Sequence, residues 1–231
     1  MTATNNSAQF SVMQGFRITK DAYIKNGTVY PRVSRIVDII ANPELERWRH
    51  KIGVKQAACI AKEAAQRGEQ VHHLIAKVLN GEMVSIKTIN NDQVRTAFVA
   101  WQDWFRTHAV RPKLVEHTVF NEEPPFAGTL DMLDETLTLT DWKTTRKLNF
   151  RHWLQGLGYA CALRAQNIVC PRLRLVRLDP NIEIYDELII PIEDTHIQMF
   201  LNLAGLWHWI TNHKEDLLND SSHDEITDGE A

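Results

Sequence analysis

Two aspartates and a lysine lie close together on two segments, between residues 126 and 143, that alternate like β-strands. Asp131 lies in the first segment, and Asp141 and Lys143 end the second. Successive side chains point to opposite faces of a strand, so Asp141 and Lys143 share a face. Acidic and basic groups are costly among apolar neighbours. The hairpin is therefore the first place to look for chemistry.

The turn between the two segments decides whether the aspartates face each other. We expect a three-residue turn at 134–136 that pairs Leu133 with Leu137. A turn with an odd number of residues puts Asp131 and Asp141 on the same side of the sheet, whereas a slip by one residue would separate them. The carboxylates would then be diagonal neighbours, about 7–8 Å apart between backbones. At that spacing they could share one divalent ion.

Two carboxylates this close repel each other and would take up protons unless a cation lay between them. Oxygen ligands favour Mg²⁺ or Mn²⁺ over Zn²⁺. Lys143 beside the ion could orient a water molecule or stabilise charge developing on a phosphate. Taken alone, the pattern fits equally well a solvated hairpin end with an ordinary ion pair between Asp141 and Lys143.

Composition limits the classes of protein. A net charge of −3 excludes a uniformly basic DNA-coating protein but permits a local basic groove. Three cysteines without a CxxC pair, Cys59, Cys161 and Cys170, exclude a disulfide scaffold and a four-cysteine zinc or iron–sulfur site within the chain. They favour a reducing compartment. Without a long apolar run or a signal-peptide core, we expect a cytoplasmic protein that does not bind membranes.

Turn residues and apolar periodicity predict one domain at 15–213, between a disordered N-terminus (1–14) and a disordered acidic tail (214–231). The predicted helices are 35–41 with Ser34 as its cap, 43–49, 54–79, 92–108, 150–164 and 194–213. The predicted strands are short segments around Asn26-Gly27, the hairpin, 113–120, 172–178 and 182–190.

Other side chains could join the hairpin. His72 follows Gly68 by one helical turn, and spacing alone favours a packed boundary histidine at a helix break over a metal ligand. Glu116 is either a carboxylate partnered by the hairpin's metal or a sheet-edge glutamate facing water. Gln155 and Tyr159 share a helix face. That face could hold a phosphate or nucleotide, or could be an ordinary boundary stripe.

Five blocks follow one another along the chain: Gly68-x-x-x-His72, Glu116, Gly128-Thr-Leu-Asp131, Asp141-Trp-Lys143-Thr144 and Gln155-x-x-x-Tyr159. Their order resembles the RecB-type branch of the PD-(D/E)XK nuclease superfamily. That branch includes helicase-associated nuclease domains, CRISPR-associated RecB-type nucleases, phage exonucleases and the mitochondrial genome-maintenance exonuclease. The resemblance spans residues 30–190, and Tyr30-Pro31-Arg32-Val33-Ser34 is similar to the entry segment of phage and mitochondrial members.

The resemblance implies an α/β (α+β) fold: a restriction-endonuclease-like core with a central mixed sheet, flanking helices and extra N-terminal helices. It implies that Mg²⁺ or Mn²⁺ is held by His72, Asp131, Asp141 and the backbone carbonyl of Trp142. Glu116 would be an outer or second-metal carboxylate, and Lys143 would position the attacking water. Gln155 and Tyr159 would contact DNA or orient Lys143, with Thr144 supporting the site. Many members carry an iron–sulfur cluster on four cysteines, and the cysteine count predicts a cluster-free member.

The predicted function is Mg²⁺- or Mn²⁺-dependent hydrolysis of DNA, and the favoured enzyme is an exonuclease of phage or bacterial recombination or repair. The alternatives are a structure-specific or flap endonuclease and a non-cleaving DNA-binding module on the same fold. DNA is the expected partner, with a recombinase, a single-strand-binding protein or further copies of the chain as further candidates. Four basic residues are candidates for contacts to the DNA backbone: Arg146, Lys147, Arg172 and Arg174.

Overall fold

The computed structural model describes residues 15–219. The strands are β1 Phe16–Ile18, β2 Ala22–Lys25, β3 Thr28–Pro31, β4 Pro112–Glu122, β5 Pro125–Asp134, β6 Thr138–Lys143, β7 Arg172–Leu178 and β8 Tyr185–Pro191. The α-helices are α1 Val33–Val37, α2 Pro43–Ile52, α3 Val54–Leu79, α4 Asp92–Thr107, α5 Phe150–Ala165 and α6 Asp194–Asn219. The predicted disordered N-terminus, 1–14, and residues 220–231 of the predicted disordered tail, 214–231, lie outside the described residues.

The central sheet has five strands in the order β4-β5-β6-β7-β8. Strands β6 and β7 are parallel and the other pairs are antiparallel. Helix α5 makes the crossover that a parallel pair requires. The short strands β1, β2 and β3 form a separate antiparallel sheet. The predicted central mixed sheet flanked by helices is confirmed.

The two faces of the central sheet carry two hydrophobic cores. Leu139 and Leu175 point into one core, with α1, α5 and α6. Trp142 and Val176 point into the other, with α3 and α4. The period-two alternation of β6 and β7 therefore divides the apolar side chains between two layers of helices. Gly156 of α5 lies against β7, as the small residues of this helix predict, since a Cβ there would be 2.3 Å from Leu173 Cδ2.

Helix α3 is continuous from Val54 to Leu79, so Gly68 does not break it. Gly53 separates α3 from α2 with φ +88°. Ser34 lies inside α1 and caps nothing, which corrects the predicted helix 35–41. The helix is placed instead by its buried residues, Val33, Ile36 and Val37. Their burial at spacing i, i+3 and i+4 outweighs a side-chain cap.

The predicted hairpin register is wrong. Leu133 pairs with Leu139 rather than with Leu137, and Met132 pairs with Thr140. The turn at 134–138 is wider because the Asp134 carboxylate accepts hydrogen bonds from backbone amides within it. Five turn residues are still an odd number, so the parity argument for a common side of the two aspartates is unchanged, but the paired ladder ends at Met132 and Thr140, before either aspartate. Asp131 would be opposite Asp141 if this register continued by one residue.

The C-terminal elements differ from the predicted bounds. Helix α6 continues to Asn219, past the predicted end at residue 213, and β8 begins at Tyr185 rather than at residue 182. Cys59 is exposed on α3, whereas Cys161 and Cys170 are buried in the core beside α5. Within the described residues, no helix combines the length and the apolar character needed to cross a membrane.

Candidate active site

His72 of α3 bridges the two strands of the hairpin. Its Nδ1 lies 3.1 Å from Asp131 Oδ1, and its Nε2 lies 3.0 Å from the backbone oxygen of Trp142. Both partners can only accept, so both ring nitrogens donate. The Trp142 amide in turn donates to Asp131 Oδ2 at 2.7 Å. The imidazole is thus held over the carboxylate of β5 and the backbone of β6, and its side chain is not packed into a boundary cluster as spacing alone suggested.

Glu116 reaches the same point from β4, the edge strand of the sheet. Its Oε1 lies 4.0 Å from His72 Nδ1, and 40% of its side chain remains exposed. Its backbone has φ +46°, a strained conformation for this residue type, at the position opposite Asp131 where the β4–β5 ladder lacks a pair. His72, Glu116 and Asp131 each offer a ligand atom within 4.8 Å of the others.

Lys143 lies beside Asp141 and continues the site toward α5. Its ammonium donates to Asp141 Oδ1 and to Gln155 Oε1, both at 3.0 Å. Gln155 Nε2 donates to Tyr159 Oη at 2.6 Å. Asp141 is buried, and 15% of the Lys143 side chain is exposed. The lysine is therefore held in one orientation from two sides.

Two glycines of the predicted blocks allow these elements to approach. A Cβ on Gly128 of β5 would lie 2.4 Å from Tyr159 Cε1, so only glycine lets the tyrosine ring lie on the strand. A Cβ on Gly68 of α3 would lie 3.3 Å from Thr144 Oγ1. Gly68 therefore sets the distance between α3 and the end of β6, one turn before His72.

Neighbouring charges shift the pKa values of His72, Asp131 and Glu116. Burial by itself would lower the pKa of His72, but the charge and hydrogen bond of Asp131, with Glu116, raise it to about 9. Burial would raise the pKa of Asp131, but protonated His72, Lys143 and the Trp142 amide hold it below its usual value. Partial burial and the nearby Asp131 raise the pKa of Glu116 to about 8. Protonated His72 thus supplies the positive charge between the carboxylates.

Asp141 and Tyr159 occupy the more buried half of the site. Burial raises the pKa of Asp141 to about 6, with Lys143 opposing and Asp131 adding to the shift. Burial and the same two aspartates raise the pKa of the Tyr159 hydroxyl well above its usual value. Tyr159 therefore remains a neutral hydrogen-bonding group across the physiological range.

The site has the donors that a hard divalent ion requires. Asp141 Oδ2 is buried and accepts no hydrogen bond in acceptable geometry, although Lys143 Nζ lies 2.7 Å away. His72, Glu116 and Asp131 form the cluster whose ligand atoms lie within 4.8 Å of one another, whereas Asp141 lies outside that cluster and the Trp142 carbonyl accepts from His72. Carboxylate and carbonyl oxygens with one imidazole suit Mg²⁺ or Mn²⁺. The residues present therefore fit a divalent cation.

The predicted DNA-contact residues divide into two groups. Thr144 directly follows the last residue of β6, and Arg146 and Lys147 are exposed residues of the segment after it. Arg174 pairs in register with Thr140, so it faces the side of the sheet opposite to Asp141. There its guanidinium lies over the Trp104 ring, 5.6 Å from the centroid.

Arg172 lies on the same face as Arg174 at the start of β7, opposite Thr138. Lys143, by contrast, pairs with Arg177 near the other end of β7. The structure therefore does not bring Arg172 and Arg174 to the site. The strand pattern alone could not reveal this, because the parallel register that orients them is a tertiary feature.

A polar chain that the sequence analysis did not identify extends the site along the sheet. Thr129 Oγ1 lies 3.0 Å from Tyr23 Oη and 2.9 Å from Thr118 Oγ1. Thr129 shares a strand face with Asp131, two residues away, and that alternation was the available signal. The partners come from β2 and β4, which the sequence could not assign to this face.

No family model matches the chain, and no curated protein matches it in sequence. Among solved structures, it is similar to SSO0001, with 14% identity, a TM-score of 0.45, and coverage of 85% of this chain and 79% of that one. An alkaline exonuclease, LHK-Exo from Laribacter hongkongensis, has 14% identity and a TM-score of 0.46, with 84% and 93% covered. The same exonuclease in complex with dAMP has 11% identity and a TM-score of 0.43, with 83% and 92% covered. Similarities at this level assign no function.

Proposed function

We propose that the chain is a metal-dependent deoxyribonuclease that hydrolyses phosphodiester bonds. One observation carries the proposal: α3, β4 and β5 bring His72, Glu116 and Asp131 within 4.8 Å of one another, next to the Lys143–Asp141 pair at the end of β6. Four separate elements would not bring costly charged groups to one point for stability alone.

In this proposal, His72, Asp131, Asp141 and the Trp142 carbonyl hold Mg²⁺ or Mn²⁺, and Glu116 acts as an outer ligand or holds a second ion. When bound, the ion polarises the phosphate and lowers the pKa of a coordinated water. His72 must first lose the proton that it donates to Trp142, so the internal hydrogen bonds of the site are exchanged for metal bonds.

Lys143 is the residue that we assign to the reacting phosphate. Asp141 Oδ1 and Gln155 Oε1 accept two of the three ammonium hydrogens, which leaves one donor for a third partner. That donor would orient the attacking water and stabilise the charge that develops on the phosphate. Tyr159 acts through Gln155 and is a positioning residue, because its hydroxyl accepts the hydrogen bond that fixes the orientation of the amide.

Within this class we favour an exonuclease that acts on DNA ends in phage or bacterial recombination or repair, of the RecB type and without an iron–sulfur cluster. The five sequence blocks support this choice. Exposed Arg146 and Lys147 beside the site are candidates for contacts to the DNA backbone. A recombinase, a single-strand-binding protein, further copies of the chain and a cytoplasmic location remain part of the same hypothesis.

Incubation of the protein with linear, circular and flap DNA in Mn²⁺ tests the proposal. Cleavage of linear DNA alone supports an exonuclease, and cleavage of circles supports an endonuclease. Cleavage confined to flap junctions supports a structure-specific enzyme. Tight binding without cleavage by the wild-type protein, in Mg²⁺ and in Mn²⁺, would show a binding module and refute the enzymatic assignment.

A further inference from the structure

A partly buried arginine that forms no close ion pair among residues 15–214 lies next to the candidate active site. Arg67 precedes Gly68 on α3, and its Nη1 donates to the neutral oxygen Gln93 Oε1 at 2.9 Å. Its Nε is buried without a hydrogen-bond partner. Among residues 15–214, Arg67 forms no ion pair within 4.0 Å, and the charge of exposed Glu63, one turn earlier on α3, does not offset the burial that lowers the pKa of Arg67, so an external anion would be a further partner.

The guanidinium is braced by neighbours from two other elements. Gln93 of α4 directs its oxygen to Arg67 and its Nε2 to Asn181 Oδ1, at 3.2 Å. Asn181 donates its backbone amide and its side chain to Asp179 Oδ1. Asp179 is in turn paired with Arg177 of β7 at 2.7 Å. The carboxylate of this network is already satisfied by Arg177, so the network positions Arg67 and does not neutralise it.

The bracing network lies at the same edge of the sheet as the site. Lys143 and Arg177 are paired in the parallel ladder, so Thr144 and Asp179 both lie beyond the carboxyl ends of their strands. Arg67 and His72 are five residues apart and therefore about 140° apart around α3. Gly68, which lies between them on the helix surface, faces Thr144.

His72 and Arg67, on two sides of α3, thus lie at neighbouring positions along the edge of the sheet formed by the carboxyl ends of β6 and β7. His72 lies over β5 and β6, and Arg67 lies toward the end of β7. Neighbouring strands are about 4.8 Å apart, so β5 and β7 are separated by about 10 Å. A nucleic-acid strand crossing this edge would pass the metal ligands, then Thr144, then Arg67.

We propose that Arg67 binds a backbone phosphate of the nucleic-acid strand next to the phosphodiester that is cleaved. The inference rests on the proposed nuclease function and adds a second anchoring point to it. A guanidinium has planar donors that match phosphate oxygens, and it stays charged when partly buried. Arg67 does not touch the reacting atoms and is therefore a positioning residue.

The test compares Arg67→Gln, Arg67→Lys and Gln93→Ala with the wild-type protein on a single-stranded 12-mer in Mn²⁺, between 50 and 200 mM salt. We expect Arg67→Gln to lower kcat/KM about tenfold, mainly through KM, because one charge-assisted contact is lost. The slope of log(kcat/KM) against log[salt] should become shallower by about 0.7, the value for one phosphate contact on a single strand. Arg67→Lys should keep the wild-type salt slope, because the positive charge is retained. Gln93→Ala should raise KM and leave the salt slope unchanged.

Arg106→Gln is the matched control, since this arginine is exposed on α4 and paired with Asp103. It should change neither KM nor the slope. An Arg67→Gln protein that folds, with the wild-type KM and slope, would overturn the inference. If the wild-type protein cleaves no DNA, the proposed function fails, and the same slopes are measured by binding of the 12-mer. A shallower salt slope of binding in Arg67→Gln alone would still support the phosphate contact. Equal salt slopes in all variants, or no binding of the 12-mer, would refute it.

Discussion

Replacing Gly128 with alanine is expected to disturb the candidate active site through packing alone. The new Cβ would lie 2.4 Å from Tyr159 Cε1 and 2.9 Å from Cδ1, whereas ordinary contacts begin at 3.4 Å. The ring must therefore move by about 1.0 Å, the difference between 3.4 and 2.4 Å. Val33 Cγ2, at 3.3 Å from the same Cβ, limits relief in that direction.

The cost can be estimated from two contributions. Overpacking of a dense core costs about 1–3 kcal/mol. The displaced ring also weakens the hydrogen bond from Gln155 Nε2 to Tyr159 Oη, a loss of about 0.5–1.5 kcal/mol. Together these lower the free energy of unfolding by about 1.5–4.5 kcal/mol, which corresponds to a fall in Tm of about 3–18 °C for a domain of this size. Gln155 then holds Lys143 less firmly, and we expect DNA cleavage to fall about tenfold at temperatures where the variant is folded.

Thermal unfolding followed by circular dichroism, together with cleavage of linear DNA, measures both effects. Gly205→Ala is the control, because an added Cβ on this α6 residue meets no atom within 4 Å. It should be neutral or stabilising by up to about 1 kcal/mol. Tyr159→Phe keeps the ring and removes the hydroxyl, so it should reduce cleavage with a smaller loss of Tm than Gly128→Ala. A Gly128→Ala protein with unchanged Tm and rate would refute the close approach of Tyr159 to β5.

Three further outcomes follow from the site. Lys143→Ala and Asp141→Ala should each abolish cleavage while circular dichroism shows a folded protein, and a wild-type rate in Lys143→Ala would remove its assigned role. Mn²⁺ affinity, measured by calorimetry, should rise as the pH increases from 7 to 9. The reason is that Glu116, with a pKa of about 8, and His72, with a pKa of about 9, must lose protons to bind the ion. An affinity that does not change over this pH range would contradict the proposed ligands. His72→Ala should weaken the Mn²⁺-induced rise in Tm more than the stability of the metal-free protein, and a global loss of folding would instead indicate a structural histidine.

Helix and strand types were largely predictable from local chemistry. The bounds of α3 follow from apolar residues at helical spacing between Gly53 and Asn80-Gly81, where Gly53 and Gly81 adopt φ +88° and +86°. The prediction that Asp131 and Asp141 share one side of the sheet rests on parity alone, and the error in the register leaves it a prediction, because five turn residues and three turn residues are both odd.

The sequence by itself determined which residue types could do chemistry and in what order they occur, since periodicity and turn preferences act over short distances. It did not determine which distant groups meet. Three features depend on how α3 packs against the sheet and on the register of β7 within it. They are the orientation of His72 toward Asp131, the separation of Arg174 from the site, and the bracing of Arg67 by Gln93. Such contacts are set by the burial of whole faces and by strand register, which bring together residues far apart in the chain and leave no local signal.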